Sequence, residues 1–302
     1  MRGPHLFPGA RVALIAPSSP LAEGLLASSV EKVRGLGLEP VVFPSATARH
    51  GYLSGTDDVR AADINRAFAD KDIHGVWCLR GGCGGTRLLP LLDFSAIRAN
   101  PKLFGGYSDI TAFHIAIGQN CGFGTYHMVM PASDLCPKAD EYTLAYAKAM
   151  LFGERIEYVN PRGNPPVALS GGRAEGELCG GNLSLVAASL GTPWELDTRG
   201  KLLFLEDIDE KPYRIDGMLT QLRNAGKIED CAGIILGQFT DCVAPDPEKS
   251  LSLARIFEEL IVPAGKPALR NVLCGHCAPT MSLPLGARFS LDADACAIAE
   301  LL

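Results

Sequence analysis

A serine at a strand-to-helix junction is the first feature of the sequence that could do chemistry. Ser108 follows the apolar run Leu103–Tyr107, which predicts a strand, and precedes a predicted helix from Asp109 to about Gly118. A hydroxyl in this position stands clear of the sheet at a helix N-terminus, as the nucleophile of many hydrolases does. The G-x-S-x-G pattern is incomplete, because Ile110 replaces the second glycine. The same serine could simply cap the helix.

A glycine cluster stands in the same position after another predicted strand. Gly75–Leu79 predicts this strand, and residues 81–85 that follow are all glycine except Cys83. Glycines there allow backbone N–H groups to converge on one point, as an oxyanion or phosphate site requires. Neither nucleotide-binding glycine pattern is present, so a phosphate loop is not predicted. An ordinary glycine turn remains an alternative.

A nucleophilic serine needs a base and a group that orients the base. His276 lies in a glycine-led turn after the short apolar run Val272–Leu273, and Glu206 ends the predicted strand Leu202–Leu205. A carboxylate can hold an imidazole in one tautomer, so the two form a candidate acid–base pair. The chain has five other histidines, and spacing alone does not choose among them. A loop histidine and a surface acid remain the alternatives.

Strands and helices alternate through the first half of the chain. Apolar runs predict strands and helical periodicity predicts helices, and this order favours a parallel sheet with helices on both faces. The predicted strands are Arg11–Ala16, Glu39–Phe43, Gly75–Leu79 and Leu103–Tyr107. The predicted helices are Leu21–Leu36, a helix capped by Thr56, a helix through Leu88 and Leu89, a helix from Asp109 to about Gly118, and Glu141–Leu151.

The proline-rich segment that begins at Asn160 is the best linker candidate. We therefore expect an N-terminal α/β domain over residues 1–158 that carries the nucleophile, a linker over 159–171, and a smaller C-terminal α/β domain over 172–302. The predicted strands of the second domain are Glu175–Leu178, Lys201–Leu205, Gly233–Gln238, Val272–Leu273 and a pair within Ala287–Leu302, and its predicted helices are Leu183–Leu190, Arg214–Ala225 and Leu251–Leu260.

Composition excludes several classes of function. Hydrophobic residues make up 47% of the 302 residues and the formal net charge is -6, without a basic run, so nucleic acid and anionic membrane are unexpected partners. Without a signal-peptide pattern, the expected location is the cytoplasm, where the ten cysteines would stay reduced. No cofactor motif is present, and His276 has no histidine partner at metal-ligand spacing, so neither cofactor nor metal is expected.

Many short motifs follow one another along nearly the whole chain. They are GYLSG at 51–55, RGGCGGTRLLP at 80–90, NPK at 100–102, GYSDITA at 106–112, GGNLSL at 180–185, GTP at 191–193, FLED at 204–207, PYRID at 212–216 and GQF at 237–239. In sequence and order these motifs resemble the LD-carboxypeptidase family, which includes muramoyltetrapeptide carboxypeptidases and microcin C self-immunity peptidases.

The resemblance implies a catalytic triad of Ser108 as nucleophile, Glu206 as acid and His276 as base. It also implies an oxyanion hole from backbone amides, which we assign to Gly82 and Asp109, with Gly81 as the alternative to Gly82. The chain departs from the family pattern at Cys83, where an aromatic or similar residue is usual. A second departure is Cys277, which replaces a glycine after the histidine.

Two residues of the second domain are candidate substrate contacts. Asn182 opens a predicted helix inside the GGNLSL motif. Arg214 could grip a substrate carboxylate with its guanidinium. An ion pair with Asp207 or Asp209 is the favoured alternative for Arg214.

The resemblance implies a homodimer that removes the terminal D-alanine from a murein tetrapeptide by cutting an L,D peptide bond. Detoxification of a microcin C-like peptidyl nucleotide is the alternative within the family. It is less favoured, because a chain of 302 residues has little room for the added loop of the immunity enzymes.

Two hypotheses from other classes remain. Cys274, Gly275, His276 and Cys277 match the C-x-x-C motif of thiol–disulfide oxidoreductases. That motif belongs at a helix N-terminus early in its fold, where the first thiol becomes acidic, whereas this one comes late and precedes Pro279. A non-catalytic binding module would be expected to lack a member of the triad, and all three residues are present.

Overall fold

The computed structural model describes residues 2–136 and 139–301. The chain forms two compact units, of which the first comprises Met1–Ile156 and Met281–Gly286 and the second comprises Glu157–Thr280 and Ala287–Leu302. The α/β class and the N-terminal parallel sheet are confirmed. The segment 281–286, which the sequence assigned to the C-terminal domain, belongs to the first unit because its strand pairs there.

The first unit is built on a largely parallel sheet. The strands are β1 (Arg11–Ile15), β2 (Glu39–Val42), β3 (Gly75–Cys78), β4 (Leu103–Gly106), β5 (Thr125–His127) and β11 (Leu283–Leu285). Their order is β11-β5-β4-β3-β1-β2, and β11 pairs antiparallel with β5 while the other pairs are parallel. Strands β3 and β4 are buried along their whole length, as expected for parallel strands covered on both faces.

Helices connect the strands of this first sheet. They are α1 (Leu25–Gly35), α2 (Asp57–Ala69), α3 (Phe94–Ala99), α4 (Thr111–Cys121) and α5 (Glu141–Phe152), with 3-10 turns at Pro44–Ala46, Gly85–Leu91 and Ser108–Ile110 and a π-helical turn at Pro131–Leu135. The helix predicted through Leu88 and Leu89 is thus a 3-10 segment, in which Pro90 lacks the N–H that an α-helix needs. The aromatic core packs Phe104 against Phe68 and Phe113.

The second unit holds a mixed sheet. Its strands are β6 (Val167–Ser170), β7 (Arg173–Asn182), β8 (Leu202–Ile208), β9 (Gly233–Thr240), β10 (Ala268–Arg270), β12 (Arg288–Asp292) and β13 (Ala297–Glu300). The order is β13-β12-β7-β8-β9-β10-β6, in which β7 to β10 are parallel and the outer pairs are antiparallel. The helices are α6 (Leu183–Ser189), α7 (Pro212–Asn224), α8 (Lys227–Asp230) and α9 (Leu253–Leu260), with 3-10 turns at Pro247–Lys249 and Val262–Ala264.

Two predictions about the second unit differ from the structure. The predicted strand Val272–Leu273 is wrong, because the strand of this segment is β10, which comes slightly earlier. The predicted linker contains β6, whose antiparallel pairing with β10 draws it into the sheet. Among residues 2–136 and 139–301, no helix is long and apolar enough to cross a membrane.

Candidate active site

Ser108 occupies a strained backbone conformation. Strand β4 ends at Gly106, Tyr107 is extended, and Ser108 has a φ of 67° before the chain enters the 3-10 turn and α4. A positive φ is uncommon for residues other than glycine and is found disproportionately at functional sites. The turn therefore has the features of a nucleophile elbow, in which the backbone rather than a side-chain bond directs the hydroxyl.

Glycines make room for this turn. A Cβ on Gly81 would lie 2.9 Å from the Cβ of Ser108 and 3.1 Å from its Oγ, so the glycine loop can approach the serine only without a side chain. Gly106 has a φ of 154°, and a Cβ there would lie 3.0 Å from Ile110 and 3.2 Å from Cys78. The incomplete G-x-S-x-G pattern thus keeps a glycine at position 106, where neighbouring atoms leave no space for a side chain. At the second glycine position no such contact requires glycine, and Ile110 is present there.

Gly82 is held in a conformation that L side chains rarely adopt. Its φ is 121°, and a Cβ would lie 2.2 Å from Ser19 Oγ. Within residues 2–136 and 139–301, the backbone amides of Gly82 and Asp109 donate to no acceptor. Amides of this kind can stabilise a developing negative charge. Their assignment to an oxyanion hole stays a prediction.

His276 and Glu206 form a directly bonded pair in the second unit. The Nδ1 of His276 lies 2.7 Å from Glu206 Oε2, and the backbone amide of His276 donates to the same oxygen at 3.3 Å. Glu206 is fully buried, and its Oε1 has no partner among the described residues. An ionised carboxylate only accepts hydrogen bonds, so this contact places the proton on Nδ1 and leaves Nε2 able to take a proton.

The register between strands β8 and β9 shifts at Glu206. Leu205 pairs with Leu236 and Asp207 pairs with Phe239, so two residues of β9 oppose Glu206 in β8. Bulges of this kind re-aim side chains and are common beside active sites. The sequence placed Glu206 after the end of its strand, whereas the structure places it inside β8.

The two glycines beside Glu206 leave no space for side chains. Gly275 has a φ of 112°, and a Cβ there would lie 2.5 Å from Glu206 Oε2. A Cβ on Gly237 would lie 3.1 Å from the Cβ of Glu206 and 2.5 Å from the carbonyl oxygen of Cys274. The amide of Gln238 donates to that same carbonyl at 3.0 Å, which ties the histidine turn to β9.

The predicted residues are therefore grouped in two places. Ser108, Gly82 and Asp109 lie in the first unit, and Glu206 and His276 lie in the second. The structure brings the base and the acid into contact and brings the glycine loop against the serine. The triad itself stays a prediction.

The two candidate substrate contacts already have intramolecular partners. Asn182 caps α6, accepting from the Leu185 amide at 3.3 Å and donating from Nδ2 to Asp207 Oδ1 at 2.9 Å. Arg214 forms an ion pair with Glu210, which lies four residues earlier and just before α7, and not with the two aspartates that the sequence favoured. Contact of either residue with substrate stays a prediction.

The thiols beside His276 do not have the properties of a redox pair. Cys274 is fully buried, and burial raises its pKa well above the ordinary value. The nearby thiol of Cys277 and the Glu206 carboxylate add to this rise, and Cys277 Sγ lies 3.3 Å from the carbonyl oxygen of Pro279. A redox-active thiol needs a lowered pKa and access to solvent. The environment of Cys274 gives the opposite, so the oxidoreductase hypothesis has no support.

Sequence reasoning missed the residues that hold the glycine loop. Ser18 and Ser19 follow β1 at the carboxyl end of the sheet, where ligands of parallel sheets bind. Ser18 Oγ donates to Asp109, and Ser19 contacts the loop at Gly81 and Cys83. The signal that could have found them is the Pro-Ser-Ser-Pro sequence directly after the first strand.

Across the described part of the chain, no three His, Cys, Asp or Glu side chains are grouped to hold a metal ion.

Comparison with known protein families gives matches in both units. Residues 12–128 match the LD-carboxypeptidase N-terminal domain, and residues 175–291 match the LD-carboxypeptidase C-terminal domain. The two matches together cover more than half of the chain.

Individual relatives agree with the family match. A protein of Bacillus subtilis named probable murein peptide carboxypeptidase is 45% identical over 94% of this chain and 89% of its own length. The crystal structure of muramoyltetrapeptide carboxypeptidase from Oxalobacter formigenes is 29% identical, with a TM-score of 0.83 over 96% of this chain and 97% of that one.

The microcin C7 self-immunity protein MccF is a more distant relative. The Escherichia coli protein is 27% identical over 92% of this chain and 88% of its own. In the structural superposition MccF is 23% identical, with a TM-score of 0.91 over 100% of this chain and 98% of that chain, which shows a shared fold. The chain belongs to the LD-carboxypeptidase family of serine peptidases, and it is a hydrolase of that family.

Proposed function

We propose that this enzyme removes the terminal D-alanine from a murein tetrapeptide by cutting an L,D peptide bond, with Ser108, Glu206 and His276 as its triad. The observation that carries this proposal is the 2.7 Å contact between His276 Nδ1 and the buried Glu206 carboxylate in a chain of this family. The name of the Bacillus subtilis relative, at 45% identity, supports the murein substrate.

The mechanism follows the roles that each group can take. His276 Nε2 accepts the proton of Ser108 Oγ as the oxygen attacks the carbonyl carbon of the L-residue, and Glu206 stabilises the imidazolium that forms. The amides of Gly82 and Asp109 donate to the oxyanion of the tetrahedral intermediate. The intermediate then expels the D-alanine amine, which takes the proton from His276. A water molecule hydrolyses the acyl-enzyme by the same steps in reverse.

The fixed tautomer is the chemical advantage of the acid–base pair. Because Glu206 holds the proton on Nδ1, Nε2 carries the lone pair that accepts the serine proton. Because the acid is buried, its attraction to the imidazolium is weakened less by solvent than it would be at the surface.

We also propose that the enzyme acts in the cytoplasm as a homodimer and takes neither nucleic acid nor membrane as a partner. All ten cysteines, each within the described residues, are free, which fits a reducing compartment. Light scattering coupled to size-exclusion chromatography tests the dimer, and a mass of one chain at micromolar concentration would contradict it.

The experiment for the reaction uses three substrates with the purified protein. They are an L,D-linked murein tetrapeptide, its D,D-linked stereoisomer and aspartyl sulfamoyl adenosine, which binds the relative MccF. Mass spectrometry measures released D-alanine and released aspartate. Release of D-alanine from the L,D substrate alone supports the proposal. Hydrolysis of the nucleotide alone would move the chain to the immunity activity, and cleavage of the D,D isomer would contradict the stereochemistry.

A further inference from the structure

The side chain of Asp109 has a contact pattern that the triad does not use. Asp109 follows the proposed nucleophile directly, and its carboxylate is almost completely buried. Its Oδ2 accepts from Ser18 Oγ at 2.5 Å and from the backbone amide of Gly85 at 2.7 Å. The nucleophile turn is therefore bonded both to the end of β1 and to the last residue of the glycine loop.

The other end of the glycine loop is held by the neighbouring serine. The amide of Ser19 donates to the carbonyl of Gly81 at 3.3 Å, and Ser19 Oγ accepts from the amide of Cys83 at 3.2 Å. Because Ser18 is bonded to Asp109, the short Ser18–Ser19 segment links the carboxylate to Gly81 and Cys83, and the carboxylate itself is bonded to Gly85. Gly82 lies between these fixed points.

A buried guanidinium completes the support. Arg60 is fully buried and donates to the carbonyls of Pro17 and Gly84 at 2.5 and 3.1 Å and to Asp57 Oδ1 at 2.6 Å. Burial raises the pKa of Asp109, and the hydrogen bonds from Ser18 and Gly85 and the positive charge of Arg60 oppose that rise. The guanidinium thus joins the segment that follows β1 to the glycine loop at Gly84.

Burial of this carboxylate needs a physical reason. A buried carboxyl group is costly in free energy unless hydrogen bonds compensate it, and a simple helix-start residue does not need one. Both bonds of Asp109 are directed at residues around the glycine loop, and a Cβ on Gly85 would lie 2.7 Å from Oδ2. A side chain at position 85 would therefore displace the carboxylate from its place against the loop.

We propose that the Asp109 carboxylate is a positioning residue that fixes the glycine loop against the nucleophile turn and so holds the amides of Gly82 and Asp109 at the place where the oxyanion forms. This inference rests on the proposed function, because it assigns a purpose to the loop in that reaction. The side chain acts through the loop and does not touch the substrate.

The test compares three variants with the wild type. Asp109→Ala removes both bonds, whereas Asp109→Asn keeps an acceptor oxygen for the two donors. Asp63→Ala is the matched control, since Asp63 is an equally buried carboxylate of the first unit that accepts from the Ser45 amide at 2.6 Å. Two rates are measured, phosphonylation of Ser108 by a fluorophosphonate and release of D-alanine from the L,D tetrapeptide.

Asp109→Ala should slow both phosphonylation and kcat by roughly 100-fold, the order expected for loss of an oxyanion donor, with KM changed by less than about threefold. Asp109→Asn should recover to within about tenfold of the wild type, and Asp63→Ala should retain both rates once folding is verified by circular dichroism. Hydrogen exchange of the Gly85 amide should speed up in Asp109→Ala.

Phosphonylation of Asp109→Ala at the wild-type rate would overturn the positioning role. So would an equal loss in Asp63→Ala, because the effect would then be general to buried carboxylates. If Asp109→Ala does not fold, Ser18→Ala removes one of the two bonds and should show a smaller loss in the same direction. Failure of the proposed function looks different, since the wild type would then be phosphonylated at Ser108 but release no D-alanine.

Discussion

The turn that carries Ser108 and the turn that carries His276 fix their side chains by different means. Ser108 is directed by its own backbone, with a φ of 67° and with glycines clearing the space around it. His276 is directed by a buried partner, since both its ring and its backbone amide bond to Glu206 Oε2. A nucleophile can be positioned by backbone strain alone, whereas a base must also be held in one tautomer, which requires a charged or polar partner.

Removal of the nucleophile is expected to have the largest effect. Ser108→Ala deletes the attacking oxygen, and losses of about 10⁴-fold or more in kcat are typical for a triad member. The fold should survive, because Ser108 is not the N-cap of its turn or of α4, and even a capping serine contributes only about 0.5–2 kcal/mol to stability. Steady-state release of D-alanine measures the first claim and thermal unfolding the second. Retention of more than a tenth of the wild-type rate would remove Ser108 from the mechanism.

Removing the charge of Glu206 tests how the turn that carries His276 is held. Glu206→Gln keeps the shape of the side chain but removes its charge and allows the wrong imidazole tautomer, so kcat should fall by roughly 10³ to 10⁴-fold. Nuclear magnetic resonance of the His276 ring nitrogens should show a loss of the Nδ1-protonated form. An unchanged rate would mean that Glu206 is only structural.

The stability of the fold around the nucleophile turn should depend on His114 remaining neutral. His114 Nε2 lies 2.9 Å from the carbonyl oxygen of Gly106, and burial lowers the pKa of His114 to about 4. The unfolded chain binds this proton near the ordinary value of 6.5, so stability is full above that pH and falls as the pH approaches 4. The free energy of unfolding should drop by about 3 kcal/mol between pH 7 and pH 4 from this group.

His114→Gln provides the control, because it keeps a donor but does not titrate. Chemical unfolding of both proteins across that pH range should give a shallower slope for the variant. Equal slopes would show that His114 is not the group that titrates.

For activity, the lack of space between Gly275 and Glu206 should matter more than the conformational freedom of the glycine. Gly275→Ala puts a Cβ 2.5 Å from Glu206 Oε2 in a left-handed backbone, so kcat should fall about tenfold to 100-fold and stability by about 1–3 kcal/mol. Gly265→Ala is the matched control, with a φ of 65° and no atom within 4 Å of the added Cβ. It should lose a similar amount of stability but no activity. Loss of activity in both variants would indicate that backbone strain, and not the contact with Glu206, causes the loss.

The thiols around the base should have the smallest effect. Replacing both Cys274 and Cys277 by serine leaves the Glu206–His276 contact in place, so the peptidase rate should stay within about tenfold of the wild type under reducing conditions. Some loss is expected because Cys274 is fully buried beside the turn that holds His276. Insulin reduction measures thiol–disulfide activity, and we expect none in either protein. Complete loss of peptidase activity in a folded double variant would show that the thiols do more.

The sequence predicted most of what local patterns determine. Apolar runs placed β1, β3 and β4 to within a residue or two, and the strand-to-helix position of Ser108 predicted the turn that the structure shows. The φ of that residue was not predictable, because a serine cap and a strained elbow share the same local sequence.

Pairing between distant segments of the chain could not be predicted from the sequence. Strands β6 and β11 are short and exist because β10 and β5 lie beside them. The bulge opposite Glu206 depends on the register between β8 and β9. Asp109 was assigned by its amide alone, since its partner Ser18 lies 91 residues earlier in the chain.

The site of covalent trapping tests the central claim most directly. The wild type and His276→Ala are incubated with a fluorophosphonate, digested and sequenced by tandem mass spectrometry. We expect one adduct on Ser108 in the wild type and a rate at least roughly 100-fold lower in His276→Ala, because the base activates the nucleophile. An adduct on Ser19 or Cys83 in place of Ser108, or equal rates in both proteins, would contradict the account.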